Sequence, residues 1–307
     1  MSDIVAPTPA APIVRSRIRR GSATVRAYFL LTKPRVVELL LVTTLPAMVL
    51  ADGGIPPLGL IVAVLTGGAL AAGGANTINC WIERERDQMM RRTRARPLPA
   101  GDVDPRGAFA FGVVLEILAF ALLWSTANLL AASLALAATL FYVFVYTIWL
   151  KPRSPQNIVI GGAAGAVPAL VGWAAVTGSL AAPAWVLFAI VFLWTPPHFW
   201  ALSLRYRDDY AAAGIPMLPV AKGVEVAARQ ILVYAVVVVA VSLLLPLTTT
   251  MTPLYAVAAL LLGIVFVWRA RELNRDPTPE RAIRLFVFSN TYLALLFAAV
   301  AIDALIV

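Results

Sequence analysis

The run Ile231-Leu-Val-Tyr-Ala-Val-Val-Val-Val-Ala-Val-Ser-Leu-Leu-Leu245 decides the fold. It carries no charge and never alternates between apolar and polar. A strand with one wet face, or one lining a barrel lumen, would alternate with period two. A continuously apolar run of this length instead suits a helix surrounded by lipid, which needs roughly 20 residues to cross a bilayer. Moving outward, similar stretches fill the chain, punctuated by Pro and Gly clusters and by charge runs. Nine helices are expected near 36–50, 58–80, 107–124, 129–150, 157–177, 183–204, 229–247, 253–270 and 283–305. Composition agrees. The 307 residues are 61% hydrophobic and 13% charged, whereas soluble domains run near about 25% charged. An all-α integral membrane protein is expected.

Charge placement tests that span list independently. Seven Lys/Arg precede the first span and seven lie over 81–106; two lie at 151–153, four over 205–229 and five over 269–284. Those are all 25 basic residues of the chain. The alternate connections carry none. The positive-inside rule then puts the N-terminus in the cytoplasm and, with nine spans, the C-terminus outside. The net charge of +9 follows from topology, so nucleic acid is not an expected partner; the lipid bilayer is. Residues 1–27 are Ala/Pro/Arg-rich without an apolar core and are expected to be a disordered cytoplasmic tail, leaving 28–307 as one transmembrane domain. A bacterial plasma membrane is the expected location, with a mitochondrial inner membrane as the alternative. One Cys and one His exclude a disulfide framework and any site built on several histidines.

Two long connections hold the candidate chemistry. At the end of the second span, Asn79, Glu83 and Asp87 are spaced i, i+4, i+8, which places them on one face of a helix prolonged past the membrane. Successive carboxylates then stand about 6 Å apart along the axis. They repel unless a cation lies between them, and magnesium takes one or two carboxylates together with phosphate oxygens. Arg91 and Arg96 nearby suit phosphate. The same residues equally fit a solvated, salt-bridged loop, since Glu85 and Arg84 could pair with the same partners. The second connection contains Thr195-Pro-Pro-His-Phe-Trp200, then Arg205, Asp208, Asp209, Tyr210 and Gly214-Ile-Pro-Met-Leu-Pro219. Glu83 and Asp208 are 125 residues and four spans apart. An even number of spans preserves orientation, so a pseudo-repeat of four-helix units would bring the two acidic clusters to one membrane surface, an arrangement for a magnesium-bridged diphosphate. No GxxxxGK[ST] loop is present.

The pattern Asn79-x3-Glu83-x3-Asp87-x2-Met90-x2-Thr93-x2-Arg96-Pro97 resembles the first motif of the UbiA superfamily of intramembrane prenyltransferases. Thr195-Pro-Pro-His-Phe-Trp, Asp209-Tyr210 and Gly214-Ile-Pro-Met-Leu-Pro look like its haem branch. Thr32-Lys-Pro-Arg35 and Tyr146-x4-Lys151 fit that branch too, and the resemblance covers roughly residues 28 to 305. Glu83 stands where most members carry Asp; its extra methylene still reaches a metal.

The resemblance implies a UbiA-type bundle that transfers a farnesyl group from farnesyl diphosphate to a vinyl group of haem B, with water addition. Haem O for haem-copper oxidases would result, and a downstream haem A synthase would be a partner. It further implies Asn79, Glu83, Asp87, Asp208 and Asp209 as catalytic residues, the four carboxylates holding Mg2+. Arg91, Arg96, Tyr146, Lys151, His198, Trp200, Arg205 and Tyr210 would bind substrate near the cytoplasmic face. The alternative acceptor is an aromatic acid or quinone precursor; a haem carrier without catalysis is a third reading. Glu116, an ionisable residue in mid-span, matches no motif, and a cross-helix bond is its expected role.

Overall fold

A computed structural model describes residues 17–307. The expected tail lies outside the described residues through position 16; from Arg17 the chain is helical, in α1 (Arg17–Leu31). There follow α2 (Pro34–Asp52), α3 (Leu58–Met89), α4 (Pro105–Thr126) and α5 (Leu129–Leu140), which runs into a π-helix (Phe141–Leu150). The second half comprises α6 (Asn157–Thr177), α7 (Ala182–Arg205), the short α8 (Arg207–Ala212) and α9 (Leu218–Ala221), then α10 (Val224–Ser242), α11 (Pro253–Arg275) and α12 (Pro279–Ala304). No strand occurs among the described residues. Eight of these segments are long and apolar enough to cross a membrane. The bent pair Thr24–Leu39 and Leu41–Asp52, angled at 45°, is the ninth when counted as one span. The short first span expected over 36–50 thus straddles the bend of a longer, broken one.

Local sequence explains where helices start. Asp104-Pro105, Thr252-Pro253 and Thr278-Pro279 each place an oxygen-bearing cap before a proline, and each cap accepts a backbone N–H from the first turn. Packing partners repeat with a period of four spans. The order α3–α4–α5–α6 packs consecutively, as does α7–α10–α11–α12, and α2 lies against the last helix of each series. Close approach is set by glycine. A Cβ at Gly74 would stand 2.8 Å from the Gly112 carbonyl of α4, so α3 and α4 meet backbone to backbone. The lipid-facing residues Ile117, Trp124, Leu261 and Ile264 are exposed, as a bilayer-embedded surface requires.

Candidate active site

Helix α3 has 32 residues, about 48 Å at 1.5 Å per residue, against a hydrocarbon core of roughly 30 Å. Its surplus carries the first motif beyond the span, and Asn79, Glu83 and Asp87 are all buried on its inner face. The outer face carries the Arg84–Glu85 pair at 3.3 Å, with Glu85 exposed. Arg84 and Glu85 therefore pair with each other on the solvent side, and the buried carboxylates take other partners.

Each buried carboxylate meets a cation from another segment. Lys151, at the end of the π-helix, pairs with Glu83. Arg96, in the loop after α3, donates to Asp87 Oδ2 at 2.7 Å. Burial opposes the charge on both bases; the carboxylates beside them outweigh it and hold Lys151 and Arg96 above their ordinary pKa values. Lys33, between α1 and α2, donates to Asn79 Oδ1 at 2.6 Å. Asn79 in turn donates to Thr147 of the π-helix at 3.1 Å. Thr93 ties the loop down by donating to the Asp87 carbonyl at 2.9 Å. Two bases thus balance two carboxylates, and the Lys33 amine on Asn79 is a further basic group suited to an anion.

The second connection reaches this loop through Arg92. Its backbone N–H donates to Asp209 Oδ2 at 3.2 Å and its guanidinium to the Tyr210 hydroxyl at 3.3 Å. The guanidinium also lies 5.6 Å from the Tyr206 ring. The two motifs expected to share a surface therefore do meet. The wider i+5 spacing of the π-helix serves the same end, with Lys151 N–H donating to the Tyr146 carbonyl and the Thr147 hydroxyl to that of Tyr142. Single-turn π geometry is common at functional sites. Tyr142 and Tyr146 stack at 5.4 Å and Tyr146 backs Lys151 at 5.8 Å. Gly161 makes the room: a Cβ there would collide with the Tyr146 ring.

Other expected residues stand apart. No three His, Cys, Asp or Glu residues among those described lie close enough to hold a metal together, so the four carboxylates are not one cluster here. Asp208 is exposed, as are Arg91 and Arg205. Their helix-end positions leave them facing solvent. His198 bonds Ser289 at 2.7 Å and lies between Trp194 and Phe286. Trp200 packs edge-on against Tyr234. Both belong to the packing of α7 on its neighbours, and neither has a bond or ring contact to the carboxylates. Glu116 accepts from Thr139 at 3.1 Å, the cross-helix bond expected for it. Lys33 and Arg92 are contributors outside the expected set of site residues, although Lys33 belongs to the Lys-Pro motif and Arg92 to the arginine-rich loop suited to phosphate.

A bound magnesium is tested by the donors. Asp87 Oδ1 is buried without a hydrogen-bond partner, beside a second buried carboxylate. Magnesium needs only one or two such ligands, with substrate oxygens and water completing its shell. The residues fit.

Residues 40–296 match the UbiA prenyltransferase family. A Salinispora tropica protein named protoheme IX farnesyltransferase is 54% identical, over 92% of this chain and 90% of that protein. One of the same name from Frankia alni is 52% identical over 93% of this chain and all of that protein. The structure of a digeranylgeranylglyceryl phosphate synthase covers 92% of this chain and 99% of that one, with TM-score 0.76 and 19% identity. A UbiA homologue from Archaeoglobus fulgidus bound to GPP and Mg2+ covers 89% and 99%, with TM-score 0.63 and 18% identity. The two structures establish a shared fold.

Proposed function

The chain belongs to the UbiA prenyltransferase family, and from that premise we propose that it transfers a farnesyl group from farnesyl diphosphate to a vinyl group of haem B. The acceptor rests on the relatives that share half of its residues over nearly their whole length. The donor rests on one geometric observation, the buried Glu83 and Asp87 ringed by Lys33, Lys151 and Arg96.

In this reading the C1–O bond of the allylic diphosphate breaks, and pyrophosphate leaves with the electron pair. Lys33, Lys151, Arg92 and Arg96 turn toward it and stabilise the charge as it develops. Glu83 and Asp87 would hold magnesium, which when bound would supply further neutralisation of that leaving group. The vinyl π electrons attack the farnesyl cation and form the new C–C bond. The cation left beside the macrocycle takes a water oxygen and releases a proton, giving a hydroxyethylfarnesyl side chain. Until then the packed apolar helices keep water from the allylic cation. His198 and Trp200 keep their proposed role as haem contacts, with α7 presenting them from the bundle interior. In the same reading the basic connections face the cytoplasm of a bacterial cell and the C-terminus lies outside, an orientation supported by the placement of all 25 basic residues under the positive-inside rule.

The test is direct. Purified protein with farnesyl diphosphate, haem B and magnesium should yield a pigment heavier by one farnesyl and one hydroxyl group. Unchanged haem beside a prenylated aromatic acid in a parallel reaction would replace haem by the alternative acceptor.

A further inference from the structure

Away from this site, α11 and α12 border a largely open cleft of about 430 Å³ lined by Arg269, Ile283, Arg284, Val287, Phe288 and Thr291. A smaller recess of about 130 Å³ adjoins it, bordered by Arg269, Arg284, Arg281 and the single carboxylate Glu272. Arg281 is committed elsewhere, to Asp276 at 3.1 Å and to the Glu272 carbonyl. Arg269 and Arg284 form no ion pair among the described residues. The Arg269 guanidinium lies over the Phe288 ring at 4.9 Å, and its Nε is buried without a hydrogen-bond partner.

An interfacial arginine ordinarily extends its head into water. Arg269 instead lies flat along the cleft, with a donor left over. Beyond the two arginines along α12 come the exposed Val287, then Phe288, then Thr291, whose hydroxyl turns back to the Val287 carbonyl. Arg269 is six residues before the end of α11 and Arg284 five after the start of α12, so both sit about 8–9 Å inside the helix ends. That is the depth at which a lipid phosphate meets its acyl chains. Two cations above an apolar groove complement one phosphodiester and one chain.

We propose that this cleft binds an anionic phospholipid, its headgroup phosphate held by Arg269 and Arg284 and an acyl chain laid along Ile283, Val287 and Phe288. The site is independent of the catalytic reading, and its readout is lipid binding rather than turnover.

Native mass spectrometry of the full chain in neutral detergent, titrated with phosphatidylglycerol or phosphatidylcholine, tests it. Wild type should hold phosphatidylglycerol at least tenfold more tightly. Arg269→Gln with Arg284→Gln should reduce that preference to within twofold, whereas the double Lys variant should keep much of it. Arg284 is exposed, so Arg284→Gln alone should fold and give an intermediate preference, which decides the matter if the double variant does not fold. Inorganic phosphate and haem B should not displace the lipid. Equal retention by wild type and Arg284→Gln would overturn the proposal. So would displacement by phosphate, which would make this a free-anion site, or by haem, which would make it a substrate site.

Discussion

The two carboxylate oxygens of Asp87 stand in different surroundings. Its Oδ2 holds Arg96 at 2.7 Å, while its Oδ1 is buried and free of hydrogen bonds. Asp87→Ala removes the metal-ready oxygen and strands a guanidinium. We expect kcat/KM to fall at least a hundredfold, about 2.7 kcal/mol of transition-state stabilisation. Size-exclusion profiles should stay those of wild type, and more than a tenth of wild-type turnover would remove Asp87 from the metal site. Among the described residues Asp209 accepts only the Arg92 N–H, so Asp209→Ala should loosen the loop and raise the KM for farnesyl diphosphate more than it lowers kcat. Lys33 is a different case. It is the only non-glycine described with positive φ, at 52°, a conformation costing of order 1 kcal/mol that persists where surroundings impose it. Because its ammonium binds Asn79, Lys33→Met should raise the KM for farnesyl diphosphate at least tenfold and leave that for haem within threefold. Equal changes in both would mean a general structural role.

The π-helix is the element on which the site turns. It aims Tyr146 and Lys151 at α3, and Gly161 of α6 leaves the space for the Tyr146 ring. Gly161→Ala should therefore overpack this junction, at a cost of about 1–3 kcal/mol, visible as a lower thermal midpoint in detergent and a loss of activity. Gly165, one turn along the same helix, has nothing within 4 Å of an added Cβ. Gly165→Ala is the control, and comparable losses in the two variants would show that helix α6 resists any side chain there. Spacing made the one-faced Asn79–Glu83–Asp87 row legible, because a helix of 3.6 residues per turn must align such positions. The π geometry was not legible: residues 141–150 are apolar and aromatic, which suits an ordinary span equally well.

For the whole molecule, the two motif connections lie at one end of the bundle because four spans separate them, and Arg92 joins them. That arrangement predicts sidedness. With Cys80 replaced by Ala, cysteines at Arg94 and Ala211 should react with a membrane-impermeant thiol reagent only after the cell membrane is opened. Those at Ser179 and Thr250 should react in intact cells. All four positions are exposed, so accessibility does not confound the result. Tyr210 is buried and unsuited to the experiment. Labelling of Arg94 and Ala211 from opposite sides would separate the motifs and defeat a shared diphosphate.

Span number, fold class and the inner face of α3 were determined by the sequence alone. They depend on local periodicity, on hydrophobicity summed over about 20 residues and on where charge is absent, all properties of contiguous chain. The motif residues likewise identified the family. Which base holds which carboxylate was decided only by the tertiary structure: Lys151 for Glu83, Arg96 for Asp87, Lys33 for Asn79. So was the turning of His198 toward Ser289 and of Trp200 toward Tyr234, and the approach of Arg92 to Asp209 across 117 positions. Such pairings are set by how helices pack, where one turn of register selects a different partner. Several arginines of the 91–96 loop had equal claim by composition, and only the packed structure singles out Arg92, by its contacts to Asp209 and Tyr210, and Arg96, by its pair with Asp87.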